Sequence, residues 1–209
     1  RRVGFVAHPS PRAHRLVRVS DVACSMSLEA LQGSLTSFHP AIHAARPHAG
    51  QVASAANVRR LLEGSAILES HRWCDKVQDA YSLRCVPQVH GAVKDTLERV
   101  REIVEIELNS VTDNPLIFPD AESDEDSVVS AGNFHGMPIA LALTQLKCCI
   151  PVLASISERR LAKLVDPATN DGLPPFLIGN EDGSDSGHMI VQYTAAALVN
   201  ELATKAHPA

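Results

Sequence analysis

The chain has 209 residues, a net charge of −5 and a pI near 6.0, with its basic residues scattered rather than striped, so nucleic acid is a poor match as partner. That length can bury a sizeable core. No run approaches the roughly 18 apolar residues that span a bilayer, and the basic N-terminus lacks the apolar segment of a secretory signal, so no membrane partner is expected.

Residues 1–15 show no hydrophobic period and are expected to form a loose lead-in. Asp21 to Ser34 reads as a helix closing at Gly33. Phe38 to Gly50 holds Pro40, Pro47, His39, His43 and His48. A His-x-x-x-His pair can ligate a metal on a helix, but Pro40 follows the first histidine and no acidic partner lies nearby. An ordered loop is expected there, with no metal. Gln51 to Gly64 reads as a short helix with glycine at its end, and Ser70 to Lys76 as a polar connection.

The segment Gln78-Asp-Ala-Tyr-Ser-Leu-Arg84 places an amide, a phenol and a guanidinium at i, i+3 and i+6. On a helix these positions share about one third of the circumference. In a tighter 3₁₀ turn they eclipse. One short face would then carry a carboxylate-binding fork, a proton-transfer group and an orienting amide, a set suited to gripping an amino acid. A packed tyrosine and a surface ion pair are the plain alternative.

From Pro87 to Thr112, apolar residues fall at Val89, Val93, Leu97, Val100, Val104, Leu108 and Val111, the spacing of an α-helical stripe facing a bundle seam. Asn114-Pro115 ends that helix. The acidic stretch 120–127 lacks the glycine and ligand spacing of a calcium loop and reads as solvated surface. Pro138 suits the first turn of the next helix. From Ile139 to Val165 the chain is apolar on most faces, with a kink expected at Pro151. Cys148 and Cys149 lie in this run and are expected to be core residues. The other cysteines stand at 24, 74 and 85, with no Cys-x-x-Cys pair, which suits reduced thiols in a cytoplasmic protein. After a polar loop over 181–187, a last helix is expected from His188 to Ala206, with Ala195, Ala196 and Ala197 allowing close helix contact. Nothing reads as a strand pair. The predicted fold is all-α, a bundle of long helices.

The run Val77 to Gly91 resembles histidine ammonia-lyase, of the aromatic amino acid ammonia-lyase family. So do Glu107-Leu-Asn-Ser-Val-Thr-Asp-Asn-Pro-Leu116, Gly132-Asn-Phe-His-Gly136, Ser157-Glu-Arg-Arg160, Leu173-Pro-Pro-Phe-Leu177 and Met189 to Leu198. The six blocks fall in the family's order, and the match runs from about Val19 to Ala209. The resemblance implies a long-helix bundle of the fumarase and aspartase type. It divides the chain into an unmatched lead-in over 1–15 and a bundle portion over 16–209. It also implies an intact enzyme, longer than this chain at both ends, that releases ammonia from L-histidine to give urocanate.

Such an enzyme would be a cytoplasmic homotetramer with sites shared between subunits. Its electrophile would be a methylidene-imidazolone made from an Ala-Ser-Gly tripeptide, a string absent from these 209 residues. By the same resemblance Arg84 would hold the substrate carboxylate, and Tyr81 would act as the acid–base group, its weakly acidic phenol assisted by the neighbouring cation. Gln78 would orient substrate or electrophile, Phe134 would pack beside the electrophile, and Met189 would line the imidazole end of the pocket. His135 leans toward the histidine branch, since phenylalanine-lyase relatives carry glutamine there. His188 departs from the phenylalanine usual at its position, which bears on substrate choice. Three alternatives stay open: a tyrosine or phenylalanine lyase or aminomutase of the same family, a catalytically silent helical scaffold, and a fumarase-type enzyme whose serine loop Gly183 to Gly187 imitates poorly.

Overall fold

Helix α6 (Val86–Leu108) is the axis on which the other helices pack, and its stripe explains why. Val93, Leu97, Val100 and Val104 recur every three or four residues and all are buried. The computed structural model describes residues 9–123, 127–180 and 182–207. In chain order the other helices are α1 (Pro9–Ala30), α2 (Pro40–Ala44), α3 (Ala49–Leu61), α4 (Ala66–Ser70), the single turn α5 (Tyr81–Arg84), α7 (Met137–Val165) and α8 (Met189–Lys205). Helices α1, α3 and α7 pack on α6, and α8 packs on α7. The all-α architecture expected from the sequence is present.

The core continues along α6. One part joins Cys24, Leu28, Phe38, Val58, Leu83 and Val86 across α1, α3 and the α5 turn. Another joins Val17, Val93, Leu97 and Leu153, and a third joins Val100, Val104, Ile139 and Ala142. Burying each such aliphatic side chain contributes roughly 1.5–3 kcal/mol. Leu83, fully buried in the first part, fixes the α5 turn to that core.

Several expectations need correction. Helix α1 starts at Pro9, and Ala13 and Val17 are buried against α6 and α7, so residues 9–15 are helical rather than loose. His14 Nε2 lies 3.1 Å from Glu98 Oε1 and adds to that packing. Residues 1–8 lie outside the described residues. The expected histidine loop contains α2, with His39 accepting the Ala41 N–H at its start and His43 buried. A two-residue antiparallel pair, β1 (Leu116–Ile117) with β2 (Val128–Val129), closes the acidic loop, of which residues 124–126 lie outside the described residues.

Helix α7 runs through Pro151, which removes one main-chain donor, without ending. By length and composition it could cross a bilayer, contrary to the reading that no segment could. Here it packs between α6 and α8. Only part of its surface is covered within the chain, and Leu141 and Val152 are exposed. Cys149 is buried but Cys148 is exposed, because neighbours on a helix point about 100° apart and cannot both face the core. All five cysteines are free thiols.

Helices α3 and α6 cross with Gly50 against Gly91. A Cβ on Gly91 would fall inside the backbone of Gly50 and Gln51. Gly91→Ala is therefore expected to cost about 1–3 kcal/mol by overpacking. Alanine's better helix propensity offsets at most roughly 1 kcal/mol of that. A melting temperature at or above wild type would contradict this crossing.

A buried polar cluster ties α1, α3 and α6 together. Asp21 Oδ1 lies 2.8 Å from His90 Nδ1, and its Oδ2 accepts from Lys94 Nζ at 2.5 Å and Asn57 Nδ2 at 2.9 Å. Burial pushes the His90 imidazolium pKa down and outweighs the raising effect of Asp21. Burial pushes the Asp21 carboxyl up, but its hydrogen bonds from His90, Asn57 and Lys94 outweigh that and hold it below the usual range. The pair is thus neutral imidazole beside carboxylate, with Nδ1–H donating. Both groups bind protons more weakly folded than unfolded, so stability rises with pH across their windows. The His90 contribution is complete above the ordinary imidazole value of 6.5 and is lost as pH falls below it. The Asp21 contribution is lost only on further acidification, below its ordinary value of 3.8. The melting temperature is expected to hold between about pH 7 and 8 and to fall below about pH 6.5, by roughly 2–4 °C per kcal/mol lost. His90→Gln should flatten the upper part of that fall; an unchanged profile in the variant would contradict the assignment.

Candidate functional site

The α5 turn carries the two residues that the sequence singles out most strongly. Asp79 is buried, its Oδ2 accepts the Ser34 N–H at 2.7 Å, and Ala80 is extended (ψ 152°). The chain therefore enters the helix only at Tyr81. With Leu83 in the core, Tyr81 and Arg84 fall on the outer side, and the Arg84 guanidinium carbon sits 4.6 Å from the centre of the Tyr81 ring. That is a cation–π contact, with the phenol 71% exposed.

Gln78 does not share this helical face. It stands in the non-helical residues before α5, next to the Asp79 anchor on the Ser34 N–H. It still meets Arg84 across a cavity of about 320 Å3, also lined by Ser34, Thr36, Cys74 and Lys76. Lys76 is committed elsewhere: its Nζ lies 3.0 Å from Asp171 Oδ2, 3.6 Å from Asp79 Oδ1, and 2.9 Å from the Leu31 carbonyl.

Arg84 has no such commitment. Among the described residues no carboxylate pairs with it, none of its guanidinium donors finds an acceptor, and its buried Nε has no partner. A half-buried guanidinium without an acid is costly unless something else supplies the anion. A larger groove of about 1050 Å3 crosses Leu62, Glu69 and Trp73 and contains none of the candidate residues.

The other candidates come from later elements. Phe134 lies in the turn before α7 and is 62% exposed, which rules out the plain core phenylalanine within this chain. His135 Nδ1 accepts the Met137 N–H at 3.3 Å and so helps to start α7. Met189 is the first residue of α8 and is half-buried, with His188 exposed in front of it. Among the described residues no hydrogen bond or ring contact joins Phe134 or Met189 to Tyr81 or Arg84. No group of three His, Cys, Asp or Glu residues that could hold a metal occurs among them either.

Sequence reading missed three supports of this site. The Asp79 anchor is invisible to helical period, because its partner lies 45 residues away in sequence. The segment Pro175–Leu177 holds Phe176 and Leu177 at φ 52° and 59°, backbone that non-glycine residues seldom adopt. Its Phe176 carbonyl accepts the His188 N–H at 2.7 Å, and a Cβ on Gly187 would collide with that carbonyl, so glycine is required just before α8. The third is the buried pair Glu158 and Arg160 on α7. The strained segment left a signal in its Pro-Pro dipeptide followed by a glycine-rich loop, and Glu158 and Arg160 stood inside the family-like block Ser157-Glu-Arg-Arg160 with nothing to mark them as buried.

The comparisons with known proteins bear on the family and the fold. The family model described as aromatic amino acid lyase matches residues 3–209, and so reaches into the segment that the sequence reading set apart as lead-in. A curated histidine ammonia-lyase of Koribacter versatilis is 50% identical over 205 residues, covering 94% of this chain and 40% of that protein. The crystal structure of histidine ammonia-lyase from Trypanosoma cruzi is 44% identical with a TM-score of 0.84, over 97% of this chain and 36% of that one. A tyrosine aminomutase structure from Streptomyces globisporus is 35% identical with a TM-score of 0.87, over 97% of this chain and 41% of that one. The chain spans about two fifths of the length of the curated relatives it matches. A family match over nearly the whole chain, on a helical frame shared with solved lyases, shows that it belongs to the aromatic amino acid lyase family.

Proposed function

We propose that this chain is part of a histidine ammonia-lyase, in which Arg84 binds the carboxylate of L-histidine and Tyr81 handles the β-proton. The observation that carries the reading is the unpaired Arg84 guanidinium against an exposed phenol, in a chain about half identical to curated histidine ammonia-lyases. Loss of the β-proton and of the amine leaves the Cα=Cβ double bond of urocanate and releases ammonia. Arg84 fixes the substrate by its bidentate fork. The Tyr81 oxygen takes the β-proton as the phenolate and becomes the phenol, beside the Arg84 cation. Gln78 orients the substrate from the far side of the cavity, and Met189, which is not part of that lining, meets the substrate's imidazole.

The amine is a poor leaving group, and in this family the methylidene-imidazolone, when present, supplies the electrophile that makes it leave. The residues here fit such a group: Phe134 offers an exposed aromatic face and Gln78 an exposed amide to lie against it. No Ala-Ser-Gly string occurs in the 209 residues, so in this reading the group comes from outside them. The exposed apolar residues Leu141 and Val152 on α7 and Leu198 on α8 support a homotetramer in which neighbouring subunits cover them. The free thiols agree with a cytoplasmic enzyme.

The aminomutase likeness gives a specific second reading, with the same grip on substrate but a β-amino acid as product. Product analysis of the complete protein with L-histidine separates the two. Urocanate and one equivalent of ammonia support the lyase; β-histidine without net ammonia release would overturn it.

A further inference from the structure

Glu158 and Arg160 of α7 are both buried, 6% and 2% exposed. Residues two apart on a helix point about 200° apart, so one reaches each side. On one side Arg160 Nη1 donates to the Ser82 carbonyl at 3.2 Å, and Nη2 donates to Ser157 Oγ at 3.0 Å. Ser82 lies between Tyr81 and Arg84. On the other side Glu158 Oε1 accepts from Gln192 Nε2 at 3.0 Å. Gln192 is in the first turn of α8, and its N–H donates to the His188 carbonyl at 3.1 Å, the residue before Met189. The exposed Arg159 holds the Glu158 carboxylate through Nε at 2.6 Å and Nη2 at 2.5 Å.

Arg160 has no carboxylate within ion-pair distance among the described residues. A buried guanidinium without a direct acid is costly, and an apolar side chain would fill the same space at lower cost. What the guanidinium adds is direction, by fixing one carbonyl in the turn that carries Tyr81 and Arg84. The two side chains therefore connect elements about 110 residues apart in sequence, α5 and α8, to a single rigid helix.

Resting on the lyase reading above, we propose that Arg160 and Glu158 are positioning residues for the elimination. They set the Tyr81–Arg84 turn and the Met189-bearing end of α8 against the same segment of α7. This fixes the distance between the carboxylate-binding and imidazole-binding ends of the substrate. Small displacements of such groups cost large factors in rate.

The test uses the complete protein with Arg160→Met, Arg160→Lys and Glu158→Gln. Hydrogen exchange is followed by mass spectrometry over residues 78–85, 189–193 and the core stretch 93–104, alongside steady-state kinetics. Arg160→Met should speed exchange over 78–85 by about tenfold or more and leave 93–104 unchanged. Its kcat should fall roughly 30–100-fold with a smaller change in KM, and Arg160→Lys should recover part of both. Glu158→Gln should loosen 189–193 and spare 78–85. Exchange that rises evenly through all helices, or does not change, would reduce the pair to ordinary packing and overturn the inference. The two readings fail separately. An inactive wild type defeats the lyase reading while exchange still judges the positioning, and an active wild type with unaltered Arg160→Met kinetics defeats this inference alone.

Discussion

Arg84→Ala in the complete protein is expected to raise KM for L-histidine about 30-fold and to lower kcat at least roughly tenfold. The first figure follows from losing charge-assisted hydrogen bonds to a carboxylate, roughly 2 kcal/mol, at about 1.4 kcal/mol per factor of ten. The second follows because Arg84 is also the cation over the Tyr81 ring, 4.6 Å from its centre. Its removal both misorients the substrate and takes away the cation that rests on the Tyr81 ring and holds it in place. Arg84→Lys keeps a charge but not the fork, and should recover less than half of the loss on a logarithmic scale. Because Arg84 makes no side-chain hydrogen bond or ion pair within the described protein, neither change should lower the melting temperature much. Steady-state kinetics indistinguishable from wild type would remove Arg84 from the site.

Tyr81→Phe should act differently. It deletes one hydroxyl and keeps the aromatic face on which the guanidinium rests, so Arg84 stays in place. The expected result is a fall in kcat of about 10²- to 10⁴-fold, the usual contribution of a positioned acid–base group, with KM within about threefold of wild type. The phenol is 71% exposed and has no hydrogen-bond partner among the described residues, so stability is expected to be unchanged. A large rise in KM with kcat preserved would make Tyr81 a binding residue and require another proton acceptor.

Where the fold depends on local period, the sequence showed it. Helix α6 was legible from its valine and leucine stripe, and four of its central members are the core. At the C-terminal end Leu108 continues the stripe yet is exposed, since period states which residues share a side and not how far a neighbour extends, and Val111 lies beyond the helix, which ends at Leu108 rather than at the expected Thr112. The same limit applies to α7. Its all-round apolar character implied burial on every face, but one chain covers only part of it. Helix α1 began earlier than expected because residues 9–15 are rich in proline, arginine and histidine. Their helix is held by contacts from Ala13 and Val17 to α6 and α7, partners remote in sequence.

At the site, the Tyr81 and Arg84 pairing was readable as a one-turn spacing, but the break between Gln78 and Tyr81 was not. It is set by Asp79 reaching the Ser34 N–H, a long-range bond with no periodic signature. The Glu158 and Arg160 links were hidden for the same reason. Within a block read as a family string, nothing says which charges turn inward.

The most direct test of the account is a deamination assay of the complete protein with L-histidine, L-tyrosine and L-phenylalanine in parallel, following the unsaturated acid. The account predicts kcat/KM for histidine at least about 100-fold above the other two, a difference of roughly 2.7 kcal/mol in transition-state binding. Preference for tyrosine or phenylalanine, or turnover of none of the three, would contradict it.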